Sequence, residues 1–353
     1  MPRRSRRLNP PSALDGLSDD VVLRVFSRAP FMTHGTLHVV CRRLKTLLRS
    51  PEFLQQRVDS GLVEHGLVAA GGAAGGAPTA QCDMLSSGRW RPITPLNGTR
   101  AFACSAIMED EDGQPEMWVM GGCDDSGDSG DVVATVEAYN PRTNVWRSCQ
   151  PLSRPREGAV AGVISGHLVV AGGCGAGCNG EELRGLTSVE AYSSSGWTPL
   201  PALPHAAYGG IECVLEGRLY VMGGWECNKL QVLEWKEEEN GFSWTVKADL
   251  PAECYNAAAG VVDGKLWLIG GARADLEGAR DFVTDVNVYD PAVDTWAVGT
   301  PLPRAGECTA TVHAGEIHVF LDDSILVYRD AEWQYAGACF DVEGATRQSI
   351  VLG

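Results

Sequence analysis

Residues 219–224 read Leu219-Tyr220-Val221-Met222-Gly223-Gly224, a short apolar run closed by two glycines. The same device recurs at Gly71-Gly72 after LVAA, Gly121-Gly122 after MWVM, Gly172-Gly173 after HLVVA and Gly270-Gly271 after LWLI. Steps between first glycines are 50, 51, 51 and 47 residues, and one further step of 51 lands on Leu321-Asp322, behind the run IHVF. Behind each glycine pair comes a polar loop, a β-rich run with an aromatic residue, and a tryptophan. These pairs are Tyr139 and Trp146, Tyr192 and Trp197, Trp235 and Trp244, Tyr289 and Trp296, and Tyr328 and Trp333, with Trp90 alone in the first unit. Another apolar run ending in a turn precedes most glycine pairs (AVAGVISG, GGIECVLEG, AAAGVVDG, CTATVHAG). Each unit therefore spells four short strands, and a fixed period near 50 is that of a propeller blade. The glycines permit close backbone approach, and each tryptophan offers an apolar face that one blade cannot bury alone.

The first unit lacks its leading run, while residues 345–353 (ATRQSIVLG) are an orphan of that type. Circular closure solves both, giving a mainly β, six-bladed propeller over residues 61–353 with no open edge strand. A five-blade ring with a loose first unit is the alternative.

Composition narrows the function classes. The 353 residues carry 42 glycines and a net charge of −16. Residues 1–60 hold eleven basic and five acidic residues, and residues 61–353 hold eighteen and forty. So acidic a long module argues against nucleic acid as the main partner. No apolar run reaches the ~18 residues of a membrane helix, and no apolar segment of the secretory type follows MPRRSRR. The twelve cysteines are scattered, with Cys41, Cys213 and Cys308 inside apolar runs, which reads as buried free thiols in a reducing compartment.

The short module reads as helices. Ser18 caps the first, with Asp19 and Asp20 in its opening turn; Val21, Val22, Val25 and Phe26 share a face, and Pro30 follows. A second helix from about Thr36 puts Leu37, Val40, Cys41, Leu44 and Leu48 on one stripe and Arg42, Arg43 and Lys45 outside it. A helical cap on the propeller is one reading of these residues.

The pattern L-x-G-L-x-D-D-V…V-C-R-R-L-K-x-L-L-x-S-P-E-F over about residues 11–55, followed by the repeats over about 64–353, resembles the plant F-box/kelch family. It departs at Ser18, where proline is usual, and at Leu44, where tryptophan is common. The resemblance implies a small all-α F-box domain with its linker (11–60) behind a basic arm (1–10), then a kelch-type propeller closed by strand 345–353. It implies a non-catalytic substrate receptor of an SCF-type ubiquitin ligase, with the F-box on a Skp-type adaptor and through it a cullin. The adaptor-binding candidates are Leu14, Leu17, Val21, Val22, Val25, Pro30, Val40, Cys41, Leu44 and Leu47. By the same analogy, one propeller face holds a protein substrate for ubiquitination and proteasomal degradation. Its candidates are Arg100, Arg156, Tyr208, Tyr255, Asn256 and Glu307 in loops entering first strands, and Asp124, Asp125, Asp128, Asp131, Glu181, Glu182, Trp225 and Arg273 behind the glycine pairs. The acidic loops favour a substrate with a basic patch. Plant members include receptors for phenylpropanoid-pathway enzymes, and the F-box portion is similar to theirs.

Two other readings compete. A scaffold propeller needs no F-box. An oxidase-like enzyme needs ligands gathered at the axis, yet His65, His167, His205, His313 and His318 form no metal cluster in sequence. Cys174-x3-Cys178 has no second ligand pair, and phosphate-loop, nucleophile-elbow and H-E-x-x-H motifs are absent. We therefore expect no catalytic residues, metal or cofactor. Arg3, Arg4, Arg6 and Arg7 read as a solvated arm or a nuclear localisation signal, giving a cytoplasmic or nuclear compartment, or both.

Overall fold

The computed structural model describes residues 14, 17–28, 42–48, 50, 52–53, 56–57, 60, 64–74, 77–86, 89–111, 113–124, 131–175, 184–225, 227–236, 241–274, 280–313, 315–321, 324–338 and 346–352. The chain divides into two compact units, residues 1–64 with 351–353, and residues 65–350. Among the described residues no helix is long and apolar enough to cross a membrane.

In the first unit, helix α1 spans Asp19–Phe26, and the Ser18 hydroxyl accepts from the Val21 N–H at 3.4 Å. Helix α2 spans Arg42–Leu47. Val22, Leu44, Leu48 and Phe53 form a buried cluster, with Leu14, Leu23, Phe26 and Leu47 packed against it. Arg43, expected outside the apolar stripe, ties the helices together: it donates to the Leu14 and Leu17 carbonyls at 2.5 Å and pairs with Asp19 at 2.6 Å.

The second unit is a six-bladed propeller. Among the described residues there are six four-stranded antiparallel sheets, so the five-blade alternative is set aside. Blade 2 is built from Cys104–Glu109, Pro115–Met120, Val136–Asn140 and Val145–Cys149. Blades 3 to 6 repeat that meander, with first strands Val160–Ile164, Ile211–Leu215, Ala258–Val262 and Cys308–His313. In blade 1 the strand neighbouring Glu64–Ala70 is Thr346–Leu352, so residues nearly 300 apart share one sheet.

The core lies between blades. Val160, Val169 and Val189 of blade 3 pack on Leu219, Val221 and Leu233 of blade 4. Equivalent clusters join blades 2 to 3, 4 to 5, 5 to 6 and 6 to 1. The closing tryptophans of blades 2 to 6 do more than fill space, since each of these indole N–H groups reaches back to a carbonyl behind the preceding blade. Trp146 donates to Thr94 at 2.8 Å, Trp197 to Gln150 at 2.9 Å, Trp244 to Pro201 at 2.8 Å, Trp296 to Ala248 at 3.1 Å and Trp333 to Thr300 at 2.9 Å. A glycine link runs alongside. Second glycines donate to the loop leading into the next blade: Gly122 to the Arg156 carbonyl at 2.8 Å, Gly173 to Ala207 at 2.8 Å and Gly224 to Cys254 at 2.9 Å. Glycine is required here: at Gly172 φ is +68°, and a Cβ would lie 2.6 Å from the Ala207 carbonyl oxygen.

Arg100 and Arg156, expected to touch substrate, are correspondingly structural. Both are almost fully buried, at 2% and 1% exposure, and neither guanidinium can reach a partner. Arg100 pairs with Glu137 at 2.6 Å, and Arg156 with Glu190 at 2.9 Å while donating to the Gly172 and Ser188 carbonyls. Each ties an incoming loop to the third strand of its blade. The next two repeats carry Ala207 and Cys254 at the arginine position, and their third strands carry Gln231 and Asn287 where glutamate stood. Gln231 instead bonds the His205 N–H and carbonyl at 2.8 and 3.1 Å. Across blades 2 to 5 charge is present as a pair or absent as a pair, as burial demands.

Candidate functional site

Two surfaces stand out, one in each unit. Val21 and Val25 of α1 are 40% and 57% exposed, and Leu17, just before the helix cap, is 40% exposed. A step of four places Val21 and Val25 on one face of α1, away from buried Val22. The adaptor candidates therefore divide. Val22 and Leu44, each 1% exposed, are core, and Leu14 and Leu47 pack against that core; these four are corrected from interface to intramolecular packing. Leu17, Val21 and Val25 remain available. Pro30, Val40 and Cys41 lie outside the described residues.

In the propeller, the loops leading into the first strands and the glycine turns lie at the same end of the blades, because Cys104 pairs with Met120 and Ile211 with Met222, each just before a glycine pair. Adjacent loops are joined by backbone hydrogen bonds of 2.9 Å: Gly158 N–H to Phe102, Gly209 N–H to Gly158, and Asn256 N–H to Gly209. All four residues have left-handed backbones, with φ of +54°, +56°, +61° and +48° for Phe102, Gly158, Gly209 and Asn256. At Gly209 any side chain would also meet Asn256 Oδ1, 2.6 Å from a Cβ. The arc is a rigid rim and not a set of loose loops.

Inside the rim is a cavity of about 190 Å³, lined by residues of blades 2 to 6. Small residues at the second position of first strands leave room for it: Ser105, Ala259 and Thr309 line it, and Ala161 holds that position in blade 3. Blade 4 has Glu212 there. Desolvation raises the Glu212 carboxyl from 4.5 to about 8. Burial likewise pushes the neighbouring Cys104 thiol up to about 12. Among the described residues the lining includes a second carboxylate, Glu307, and no lysine or arginine.

Aromatic residues flank this mouth. Trp225, 38% exposed, stacks on the buried Tyr255 ring with centroids 4.9 Å apart, and its N–H donates to the Tyr208 carbonyl. The Tyr208 hydroxyl donates to Glu157 at 3.3 Å. Of the propeller candidates, the structure thus gathers Tyr208, Trp225, Tyr255, Asn256 and Glu307 around one opening. Tyr255 is 6% exposed and supports Trp225 from beneath. Arg273 is paired with Asp285 at 2.5 Å. Asp124 and Asp131 meet across a loop base, where the Asp131 N–H donates to Asp124 Oδ1 at 3.3 Å. Asp125, Asp128, Glu181, Glu182 and Cys178 lie outside the described residues. Among the described residues no group of three or more His, Cys, Asp or Glu side chains converges to hold a metal. Glu212, the residue with the most unusual environment, is unremarked in the sequence reading because GGIECVLEG reads as a plain strand. Aligning the repeats at that position would have exposed it.

Comparison with known proteins agrees with both units. Residues 14–56 match the F-box domain family, and residues 114–153 and 253–303 match the Kelch motif. An F-box/kelch-repeat protein of Arabidopsis thaliana is 26% identical over 216 residues, covering 60% of this chain and 54% of its own. F-box protein AFR of the same plant is 26% identical over 222 residues, 60% of this chain and 56% of its own. Mouse Kelch-like protein 35 is 26% identical over 281 residues, 77% of this chain and 42% of that protein. The chain spans about half the length of the curated relatives it matches. The solved structure of YjhT superposes with a TM-score of 0.61 at 15% identity, covering 76% of this chain and 97% of that one, which shows the fold alone. An F-box followed by a six-bladed kelch propeller defines the class. Within it, the matched F-box and Kelch motif segments and the Arabidopsis relatives support a plant-type F-box/kelch-repeat protein.

Proposed function

We propose that the chain is the non-catalytic substrate receptor of an SCF-type ubiquitin ligase: the F-box docks on a Skp-type adaptor bound to a cullin, and the propeller presents a protein substrate for ubiquitination and degradation. Exposed Leu17, Val21 and Val25 carry this reading. Val21 and Val25 on one face of α1, and Leu17 just ahead of it, are left uncovered while the opposite face of α1 builds a core. That is the arrangement of a helix awaiting an apolar groove, with each side chain contributing roughly 1.5–3 kcal/mol on full burial. The receptor would supply proximity, holding a substrate lysine near the transferring enzyme. A cytoplasmic or nuclear site suits the nine free thiols among the described residues.

The test is co-purification with a Skp-type adaptor. The intact chain should retain adaptor, and a Val21→Asp/Val25→Asp variant should lose it while keeping its circular dichroism spectrum. Substitution at Leu44 is unsuitable because that side chain is core. If the intact chain retains no adaptor, the ligase reading falls and a kelch scaffold takes its place.

A further inference from the structure

We propose that the axial cavity is a receptor for a single basic side chain, arginine or lysine, projecting from the tip of a substrate loop, with Glu212 as its charge partner and Trp225 as its stacking surface. This rests on the propeller being the substrate-holding unit, and adds what that unit recognises.

Four observations carry it. First, Glu212 replaces a small residue: Ser105, Ala161, Ala259 and Thr309 occupy the position in blades 2, 3, 5 and 6. Ile211 and Cys213 pack toward blade 5 from the other face of that strand. Second, among the described residues no lysine or arginine lines the cavity beside it. Nearby Arg156 is committed to Glu190. Third, the opening is pre-organised by the Phe102–Gly158–Gly209–Asn256 backbone chain, so a ligand would not have to order it. Fourth, Trp225 stands exposed on Tyr255 beside the mouth, and indole is the best cation-binding ring. A guanidinium would cross that face on its way in and leave its aliphatic stem against the indole once it reaches Glu212.

Proton bookkeeping gives the idea a signature. The titratable groups lining the cavity are Glu212, Glu307, Cys104 and Cys308. Burial holds Glu212 largely protonated at neutral pH. A cation seated beside it favours the carboxylate, so binding expels a proton to solvent.

The full chain, with adaptor where adaptor binds, would be titrated by calorimetry at pH 7 with acetyl-Gly-Arg-Gly-amide and its citrulline counterpart. Buffers of low and high ionisation enthalpy would be compared. We expect a dissociation constant of about 1 mM for the arginine peptide, release of most of one proton, and no heat from citrulline. Glu212→Gln, which keeps shape and removes charge, should weaken binding more than about tenfold. Trp225→Ala, at an exposed site, should weaken it severalfold. Equal binding of citrulline, unchanged affinity in Glu212→Gln with its thermal midpoint intact, or no arginine binding at about 10 mM each overturn the proposal. The same preparations report adaptor retention. Adaptor lost with peptide kept sinks the ligase reading alone, and the reverse sinks the pocket alone.

Discussion

Replacing Arg156 by alanine should be among the most damaging single changes in the propeller, and the internal repeats say how to repair it. The guanidinium is 1% exposed and neutralises Glu190, itself 3% exposed, at 2.9 Å. It also satisfies the Gly172 and Ser188 carbonyls at 2.9 and 3.1 Å. Arg156→Ala leaves a buried carboxylate whose remaining bond is from the Ser153 N–H at 3.0 Å. An uncompensated buried charge of this kind costs about 3–5 kcal/mol. Arg156→Ala/Glu190→Gln copies the Ala207 and Gln231 of the next blade. It removes the charge but leaves two carbonyls short of a donor, so about 1.5–3 kcal/mol of loss remains. The double variant should therefore be more stable than the arginine single, by about 1.5 kcal/mol or more. Urea unfolding followed by tryptophan fluorescence, with unchanged m-values, measures all three. A deficit below about 1 kcal/mol, or a double variant falling at the sum of the singles, would refute the assignment of Arg156 to structure.

Further outcomes follow from the same geometry. Gly172→Ala and Gly264→Ala both force alanine to positive φ (+68° and +70°), but only the first meets an oxygen, at 2.6 Å. Thermal unfolding should show a loss of about 1–2 kcal/mol at Gly264 and a clearly larger one at Gly172. Trp244→Phe removes the bond to the Pro201 carbonyl and should cost about 1 kcal/mol while the chain stays folded, as urea midpoints can show. Glu212 has its folded pKa raised from 4.5 to about 8, so the unfolded chain gives up this proton first and stability falls across that interval. Glu212→Gln should lack that fall, matching wild type near pH 4.5 and exceeding it at pH 8.5. Parallel pH profiles would mean that the carboxyl is not desolvated.

The blades were legible in the sequence because their signals are local: glycine pairs stepping by about 50, and a tryptophan in each unit. Closure was legible because a leading run was missing at residues 51–66 and an orphan stood at 345–353. Burial of polar side chains was not. Arg100 and Arg156 sit in loops, where arginine normally meets water, and their partners Glu137 and Glu190 lie about 35 residues on, in strands that read simply as VEAY. The signal that could have found them is correlation between repeats, since the arginine and the glutamate disappear together at Ala207 and Gln231. Likewise Val22 and Val25 look alike in a hydrophobic pattern. Only the placement of Leu44 and Phe53 tells which faces inward.

The indole bonds also say where the ring can be reopened. In blades 2 to 6 the tryptophan holds the stretch behind the blade before it, so the repeating unit of sequence and the unit of cohesion are offset. A circular permutant cut at Asp263-Gly264, a hairpin turn where an added Cβ meets nothing within 4 Å, severs no such tie. A cut within residues 247–256 would free the Ala248 carbonyl that receives Trp296, the Cys254 carbonyl that receives Gly224, and the Asn256 N–H on Gly209. Insertions and new termini belong at turns of the first kind, and the joints between repeats, which look like linkers in the sequence, are the seams that must stay whole.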